Sequence, residues 1–443
     1  ILTIREKNKK KIIKLNLNLI GKIQIKNILM AILAAIKSGL DMNSIAKSIT
    51  KLRSPEGRLE KIGKLKNNSK VILDFAHTPD ALKTILINIK EQFPSKKISL
   101  VFGCGGDRDK AKRSKMGRIA SKFADIIYLT DDNPRSENPK KIRNEIKKGI
   151  IKKEIREISN RGKAISTCIN NLFSGDIAII AGKGHEMTQN YDGKKLFFSD
   201  REEILKSIKI KNNKLSKDIR LNIIQEKTKP IIKNLRLNNF SINSKDLKKN
   251  DIFFAIKGKK NDGNNFLKEA IKKKTSLVIT NKIQKNLPIT KQIQVRDTLN
   301  FLTKCAIEYR DNIKSNIIAI TGSCGKTTLK DLLGNSLTSI ANTYFSPKSF
   351  NNKFGVPISL LNLKQNKKFG IFEIGMDKKG EIDFLSKILK PNLGIITNIN
   401  YAHSKNFKNI RGIANAKSEI IQNIKPGGIL ILNQDDKFYK FLK

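Results

Sequence analysis

The sequence predicts an α/β chain built on doubly wound, mostly parallel sheets. Three observations carry this. Between about residues 70 and 205, short apolar runs (VILDF, ISLVFG, ADIIYLT, GDIAIIAG) alternate with helical stretches, the pattern of strands covered on both faces. Polar, Gly-rich clusters follow those runs, and in open sheets ligands sit at the carboxyl ends of the strands. A second series of the same kind starts near residue 313 with NIIAITGSCGKTT and runs through FGIFEIG and LGIITNI to GGILILN.

In chain order, ILTIREKNKKKIIKLNLNLIG opens with strand-like alternation. Apolar residues at helical spacing follow over 22–52, with a stop at Gly39, a second start after Asp41 and a turn at Ser54-Pro55-Glu56-Gly57. Helices are expected over Pro79–Ile89, Met116–Phe123 and Pro139–Lys148. Residues 206–230 are polar and Lys/Asn-rich, end in Pro, and read as a linker. A smaller α/β unit with DIFFAIKG and SLVIT occupies 231–312. GGILILN reads as a buried strand. Both ends of the chain read as cuts inside domains, so a fragment is expected.

The chain has 443 residues, about three domains' worth at roughly 150 residues each. Its formal charge is +50, which taken alone suggests a nucleic-acid or anionic-membrane partner. The excess of Lys, Asn and Ile with no Trp is equally the mark of A/T-rich codon drift. The basic residues are spread through every segment and aromatics are 6%, whereas a nucleic-acid binder interleaves basic stripes with aromatics. Neither nucleic acid nor membrane insertion is therefore expected: no apolar run approaches the ~20 residues of a span. Cys104, Cys168, Cys305 and Cys324 form no CxxC pair, which fits a reducing, cytoplasmic setting.

The strongest motif is Thr321-Gly322-Ser323-Cys324-Gly325-Lys326-Thr327-Thr328, between an apolar strand and a helix. Glycines let backbone N–H groups approach phosphate, and the helix N-terminus adds positive potential. Lys326 would reach the terminal phosphates and Thr327 would ligate Mg²⁺. Ile320 stands where the general Gly-x-x-x-x-Gly-Lys-Ser/Thr pattern has its first Gly. Glu373 ends a strand, His403 follows another with Asn398 nearby, and Lys417 lies in the helical run GIANAKSEII. In the first series, DDNPR (131–135) supplies Asn133 and Arg135, GCGGDRD (103–109) supplies Arg108, and GKGHE (182–186) supplies Glu186. Two Arg, an Asn and a Glu at neighbouring strand ends suit a zwitterionic amino acid with more than one carboxylate.

On these residues the chain resembles the Mur ligase family, ATP-dependent enzymes that add amino acids to the peptidoglycan precursor. GKIQIKN, GRLE, DFAHTPDAL, VFGCGGDRDKAKR, DDNPR, AGKGHE and FSDRE, within 1–210, resemble the branch that adds meso-diaminopimelate. SINSKDL, DIFFAIKGKKNDGNNF, AITGSCGKTT, FNNKFGVP, FEIGM, TNINYAH, ANAKSEI and ILNQDD, within about 219–443, resemble the branch that adds D-Ala-D-Ala. The resemblance implies five segments: the end of a central domain (1–55), a Rossmann-like carboxy-terminal domain (56–208), a linker (209–230), a small α/β amino-terminal domain (231–312) and a truncated P-loop central domain (313–443). It implies diaminopimelate contacts at Arg108, Asp132, Asn133, Pro134, Arg135, Gly182 and Glu186, with Asp74 and His77 near a nucleotide. It implies ATP at Gly322 to Thr328, two Mg²⁺ at Thr327, Glu373 and His403, catalytic roles for Lys326, His403 and Lys417, and a carbamylated lysine at Lys417. DIFFAIKG would help hold the UDP-MurNAc-peptide.

The chemistry implied is amide formation through an acyl phosphate, in a fused two-ligase polypeptide whose missing domains would be partners in turnover. Two departures bear on this. SINSK replaces the usual Ser-x-Asp-Ser-Arg, so Lys245 lacks a planar fork, and Lys353 stands where the family has an acid. Two further readings are a folylpolyglutamate-synthase-like ligase and a basic P-loop NTPase on nucleic acid. DDNPR and the SINSK–DIFFAIKG segments argue against the first, and the scattered charge against the second.

Overall fold

The computed structural model describes residues 2–5, 12–15, 17, 19–228, 235–258, 261–401, 406, 407 and 409–443. The chain divides into two compact units, Ile1–Leu215 and Ser216–Lys443. Among the described residues no helix is long and apolar enough to cross a membrane.

The first unit begins with an antiparallel pair, β1 (Leu2–Arg5) and β2 (Ile12–Leu15). Two helices follow, α1 (Lys22–Lys37) and α2 (Met42–Ile49). Asp41 caps α2 by accepting from the Asn43 and Ser44 amides. Ile28 and Ile32 of α1 pack with Ile45 and Ile49 of α2.

A six-stranded sheet comes next. Its strands are β3 (Glu60–Lys61), β4 (Lys70–Asp74), β5 (Ile98–Phe102), β6 (Ile126–Leu129), β7 (Glu154–Glu157) and β8 (Ile177–Ala181), in the order β3-β4-β8-β5-β6-β7. Only β3 is antiparallel. The helices are α3 (Pro79–Gln92), α4 (Ala111–Phe123), α5 (Pro139–Lys147), α6 (Arg161–Asn170) and, after a hairpin, α7 (Asp200–Lys214). Alternation along each strand feeds two cores. Ile177 and Ile179 join Leu82, Leu86, Met116 and Ile142 on one face. Ala178 and Ile180 join Ile165, Ile169, Ile204 and Ile208 on the other. Because β8 inserts between β4 and β5, the sheet has its switch point there, and the loops after β4, β5, β6 and β8 meet at one edge. The hairpin is β9 (Thr188–Tyr191) with β10 (Lys194–Phe197), turning at Asp192 and Gly193, both at positive φ.

The second unit opens with α8 (Ile219–Thr228). The expected linker over 209–230 is thus not irregular among the described residues. Its first part continues α7, and Ile219, Leu221, Ile223 and Ile224 of α8 are buried. A four-residue apolar set between polar flanks makes a core helix whose average composition looks solvated.

A parallel sheet of β11 (Phe240–Ser241), β12 (Ile252–Phe254), β13 (Leu277–Thr280) and β14 (Gln292–Gln294) forms the small layer, with α9 (Leu267–Lys272). After α10 (Thr298–Arg310) comes a five-stranded parallel sheet. Its strands are β15 (Asn316–Thr321), β16 (Thr343–Phe345), β17 (Phe369–Glu373), β18 (Leu393–Ile396) and β19 (Ile429–Leu432), in the order β16-β17-β15-β18-β19. The helices α11 (Lys326–Thr338), α12 (Gly355–Asn362), α13 (Glu381–Leu389), α14 (Ile410–Ser418) and α15 (Tyr439–Leu442) accompany it. β15 is central, so the loop after it lies mid-sheet. β19 departs from the buried strand expected: it is an edge strand, and Ile429 and Ile431 are exposed.

Candidate functional sites

Each unit carries one cluster at the carboxyl edge of its sheet. In the first unit the Gly-rich turn after β5 lies directly on the loop after β6. A Cβ on Gly103 would stand 2.3 Å from the Thr130 carbonyl oxygen, and one on Gly106 would stand 1.9 Å from that of Pro134. These glycines permit loop-on-loop packing, closed by Gly106 N–H donating to Asn133 O (2.9 Å). A Gly105 Cβ would stand 2.8 Å from Arg135 Nη1 and 3.9 Å from Arg108 Cγ. The two predicted arginines are therefore brought together around Gly105.

The DDNPR loop is braced from several sides. Asp131 pairs with Arg143, which also donates to Glu157 (2.9 Å), and accepts from Tyr191 Oη (3.1 Å). Gln189 Nε2 donates to the Asp132 carbonyl (2.7 Å). Arg135 sits at φ 54°, its N–H donating to Asn190 O (3.0 Å) and its Nη1 to Gly106 O (2.6 Å). Asp132 is buried, 3.8 Å from the fully buried Arg161, which forks onto Asp200 (2.7 Å on each oxygen). Gly182 (φ 119°) leaves room for Asp132, since a Cβ there would stand 2.5 Å from Asp132 Oδ2.

Glu186 accepts from Asn133 Nδ2 (3.0 Å) and Lys183 Nζ (2.9 Å), both on Oε2. Burial works to raise its carboxyl, but the Lys183 ammonium and the Asn133 amide outweigh it and hold the group below the usual carboxylate range. Asp74 is committed elsewhere. Its two oxygens accept from the Leu59 and Ala76 amides (2.7 Å each), latching the residue before β3 to the turn after β4, while burial pushes its carboxyl up. His77 is exposed and shares a 2.9 Å contact between Nδ1 and Phe75 O.

In the second unit the loop after β15 meets α11. Gly322 (φ 147°) passes so close to β18's end that a Cβ would stand 1.9 Å from Thr397 Oγ1. Gly325 (φ 79°) precedes α11, whose first amides have no partner inside the helix and face the loop mouth. Residues 397–400 brace the loop. Thr397 Oγ1 donates to Cys324 O (2.6 Å), Cys324 N–H donates to Asn398 Oδ1 (3.0 Å), and Ser323 Oγ donates to Asn400 O (2.8 Å).

Four predicted groups converge here. Lys326 Nζ donates to Gly322 O (2.9 Å), and Lys417 Nζ donates to the same oxygen (2.8 Å). Thr327 Oγ1 donates to Glu373 Oε2 (2.7 Å), while Asn351 Nδ2 donates to Oε1 (2.6 Å). Lys417 is buried, and burial, helped by Lys326, lowers its ammonium to about 7. Glu419, two residues on, caps α13 by accepting from the Gly380 and Asp383 amides (2.9 and 3.0 Å), which fixes α14 and hence Lys417. Thr328 is exposed in the first turn of α11. His403 lies outside the described residues. A cleft of about 940 Å³ opens beside Lys326, lined among others by Asn351, Lys353 and Glu381. In the small layer SINSK folds into an Asx turn, Asn243 Oδ1 accepting from Lys245 N–H (3.1 Å), with the Lys245 side chain exposed.

Among the described residues no three His, Cys, Asp or Glu side chains stand together to hold a metal. The donors present, one hydroxyl and one carboxylate, are hard oxygens. They fit Mg²⁺, which keeps waters and substrate phosphates in its shell.

Residues 57–184 match the Mur ligase, glutamate ligase domain, and residues 320–443 match the Mur ligase middle domain. The chain carries Mur ligase domains. It is 46% identical over 196 residues to a UDP-N-acetylmuramoyl-L-alanyl-D-glutamate--2,6-diaminopimelate ligase of Rickettsia montanensis, covering 44% of this chain and 40% of that protein. The like-named ligase of Chelativorans sp. is 43% identical over 193 residues, covering 44% and 39%. Among solved structures, MurF from Acinetobacter baumannii is 32% identical at a TM-score of 0.45, covering 50% of this chain and 49% of that one. The chain thus spans about two fifths of the length of the curated relatives it matches.

Sequence reasoning missed Lys183, Gln189 and Arg161, which hold the first unit's cluster from behind. A buried Lys in so basic a chain gives no signal. The hairpin that carries Gln189 did give one, the Asp192-Gly193 pair between alternating residues.

Proposed function

We propose that the chain serves ATP-dependent amide-bond formation in peptidoglycan precursor synthesis. The first unit captures meso-diaminopimelate for addition to UDP-MurNAc-L-Ala-D-Glu. The second binds ATP and the UDP-MurNAc-tripeptide to which D-Ala-D-Ala is added. The observation that carries this reading is the convergence of Lys326 and Lys417 on the Gly322 carbonyl beside the Thr327–Glu373 pair.

The peptide carboxylate oxygen bonds to the γ-phosphorus of ATP as the bond to the bridging oxygen breaks, giving an acyl phosphate and ADP. The amine nitrogen then bonds to the acyl carbon, phosphate leaves, and the amine gives up a proton. Lys326, swinging from the loop carbonyls to the phosphates, neutralises charge that grows on the transferred group. Thr327 and Glu373 would hold Mg²⁺, which when bound spreads the phosphate charge; His403 is assigned to a second ion. Lys417, neutral above about pH 7, can add CO₂ at Nζ, losing a proton to become a carbamate.

At the first site, Arg108 and Arg135 take carboxylates and Glu186 takes an ammonium. Asn133 is more restricted than a free amide. Its Oδ1 already accepts from Lys183 Nζ and Asn190 N–H, and one of its two Nδ2 hydrogens goes to Glu186, so only a single Nδ2 hydrogen is left.

Calorimetry of the intact chain should show saturable binding of both ATP–Mg²⁺ and meso-diaminopimelate, with L-lysine bound at least tenfold more weakly than the latter. Absence of ATP binding would reject the second-unit assignment, and absence of diaminopimelate binding the first.

The Lys417 reading also has a pH signature. The unfolded lysine titrates near 10.5 and the folded one near 7, so between those values the unfolded state binds more protons. The burial penalty is fully present below pH 7 and fades as pH rises, at up to ~1.4 kcal/mol per pH unit. In CO₂-free buffer, denaturant unfolding should show wild type gaining ~1–2 kcal/mol on Lys417→Met between pH 7 and 8.5. Parallel curves for the two proteins would place the folded lysine at its ordinary value.

A further inference from the structure

Lys183 is a cation with no exposed surface, set behind the first site. Its Nζ donates to Asn133 Oδ1 (3.1 Å) and to Glu186 Oε2 (2.9 Å). Glu186 is its exposed partner, with 37% of its side chain accessible. The Asn133 amide closes a triangle by donating from Nδ2 to the same Oε2 (3.0 Å). The amide's orientation is itself locked, because Asn190 N–H also donates to Oδ1 (3.0 Å) and Asn190 belongs to the β9 strand.

Two donors therefore saturate one oxygen of Glu186, while Oε1 accepts nothing among the described residues. A carboxylate has room for about two acceptor bonds on each oxygen. This one is held by its inner oxygen and keeps its outer oxygen for another donor. The lysine, sealed from solvent, cannot itself reach a ligand. The same pocket has its carboxylate-binding groups, Arg108 and Arg135, on a different loop pair around Gly105.

We propose that Lys183 is the positioning residue that makes Glu186 a one-sided receptor for a substrate ammonium, and so sets the preference of this pocket for an amino acid over a plain dicarboxylate. The proposal rests on the reading of the pocket as a diaminopimelate site. Lys183 acts through Glu186 and Asn133. Removing it leaves Glu186 tethered by a neutral amide alone, and leaves Asn133 Oδ1 with one donor fewer, so the amide can turn. A charge-assisted bond from a sealed cation is the stronger of the two tethers. The arginine side of the pocket shares no hydrogen bond with Lys183 and should keep its grip on carboxylates.

The test compares meso-diaminopimelate with pimelate, the same seven-carbon dicarboxylate without ammonium groups, by calorimetry on the intact chain. Wild type should prefer diaminopimelate by at least about thirtyfold. Lys183→Met should bring that preference to within about threefold while pimelate affinity changes by less than threefold. A merely structural lysine would weaken both ligands alike, and that result, or an unchanged preference, overturns the proposal. If Lys183→Met does not unfold cooperatively, Lys183→Gln is read in its place. Its neutral donor should give a preference between the two, and a wild-type preference in that variant equally overturns the role of the charge. A wild-type chain that binds no diaminopimelate at all instead defeats the pocket's assignment itself, a distinct outcome.

Discussion

Lys326→Ala should weaken ATP–Mg²⁺ binding by at least a hundredfold, read by titration with a fluorescent ATP analogue. The ammonium sits 2.9 Å from Gly322 O and 3.3 Å from Ser323 O, carbonyls that a phosphate oxygen can outcompete because a charge-charge hydrogen bond is about twice as strong. Losing two such bonds at ~1.5–3 kcal/mol each accounts for the size. The loop itself should survive, since its bracing comes from Thr397, Asn398 and Asn400. A second consequence follows at Lys417. After burial, the charge of Lys326 is the second cause that pushes its ammonium down, so the variant's Lys417 should titrate higher and react more slowly with a neutral-amine reagent at pH 7.5. ATP affinity within threefold of wild type would remove Lys326 from the phosphate site.

Arg135→Ala should reduce meso-diaminopimelate affinity by at least about a hundredfold, the loss of a two-bond guanidinium–carboxylate pair at ~1.5–3 kcal/mol per charged bond. Arg135→Lys should recover little of it, because an ammonium cannot offer a planar fork. The backbone provides an internal control. Arg135 is held at φ 54° by Asn190 and Asp192, a conformation that costs a side chain roughly 1 kcal/mol and a glycine almost nothing. Arg135→Gly should therefore unfold no earlier than wild type in urea and yet bind no better than Arg135→Ala. If the glycine variant kept diaminopimelate affinity, the carboxylate fork would have to lie elsewhere.

How much of this was legible depended on whether a signal was local. The P-loop was readable because its strand, glycines and helix are consecutive, and the clusters after β4, β5, β6 and β8 were readable because each ends an apolar run. The reason for the glycines was not. Gly103 and Gly106 look like phosphate-loop residues in sequence, and only the position of the Thr130 and Pro134 carbonyls explains them. Asp74 and Asp132 likewise read as equals at strand ends. One spends both oxygens on backbone amides, while the other faces a buried arginine. Helix α8 was hidden because burial belongs to Ile219, Leu221, Ile223 and Ile224 individually, not to the average of their surroundings. Lys183 was invisible for the opposite reason: nothing local separates it from its many neighbours of the same type.

The two-sided burial of the sheets also explains where the composition of this chain could drift. Strands β5, β6 and β8 of the first unit contain no Lys or Arg, and neither do β15, β17 and β18 of the second. A chain of net charge +50 has thus kept lysine out of these inner strands, where a solvent-stripped ammonium would cost several kcal/mol. The folded layers act as a sieve on mutation. A biased genome can repaint helices and loops with whatever its codons favour, but Ile, itself one of the favoured residues, is the only part of that bias the sheets admit in quantity.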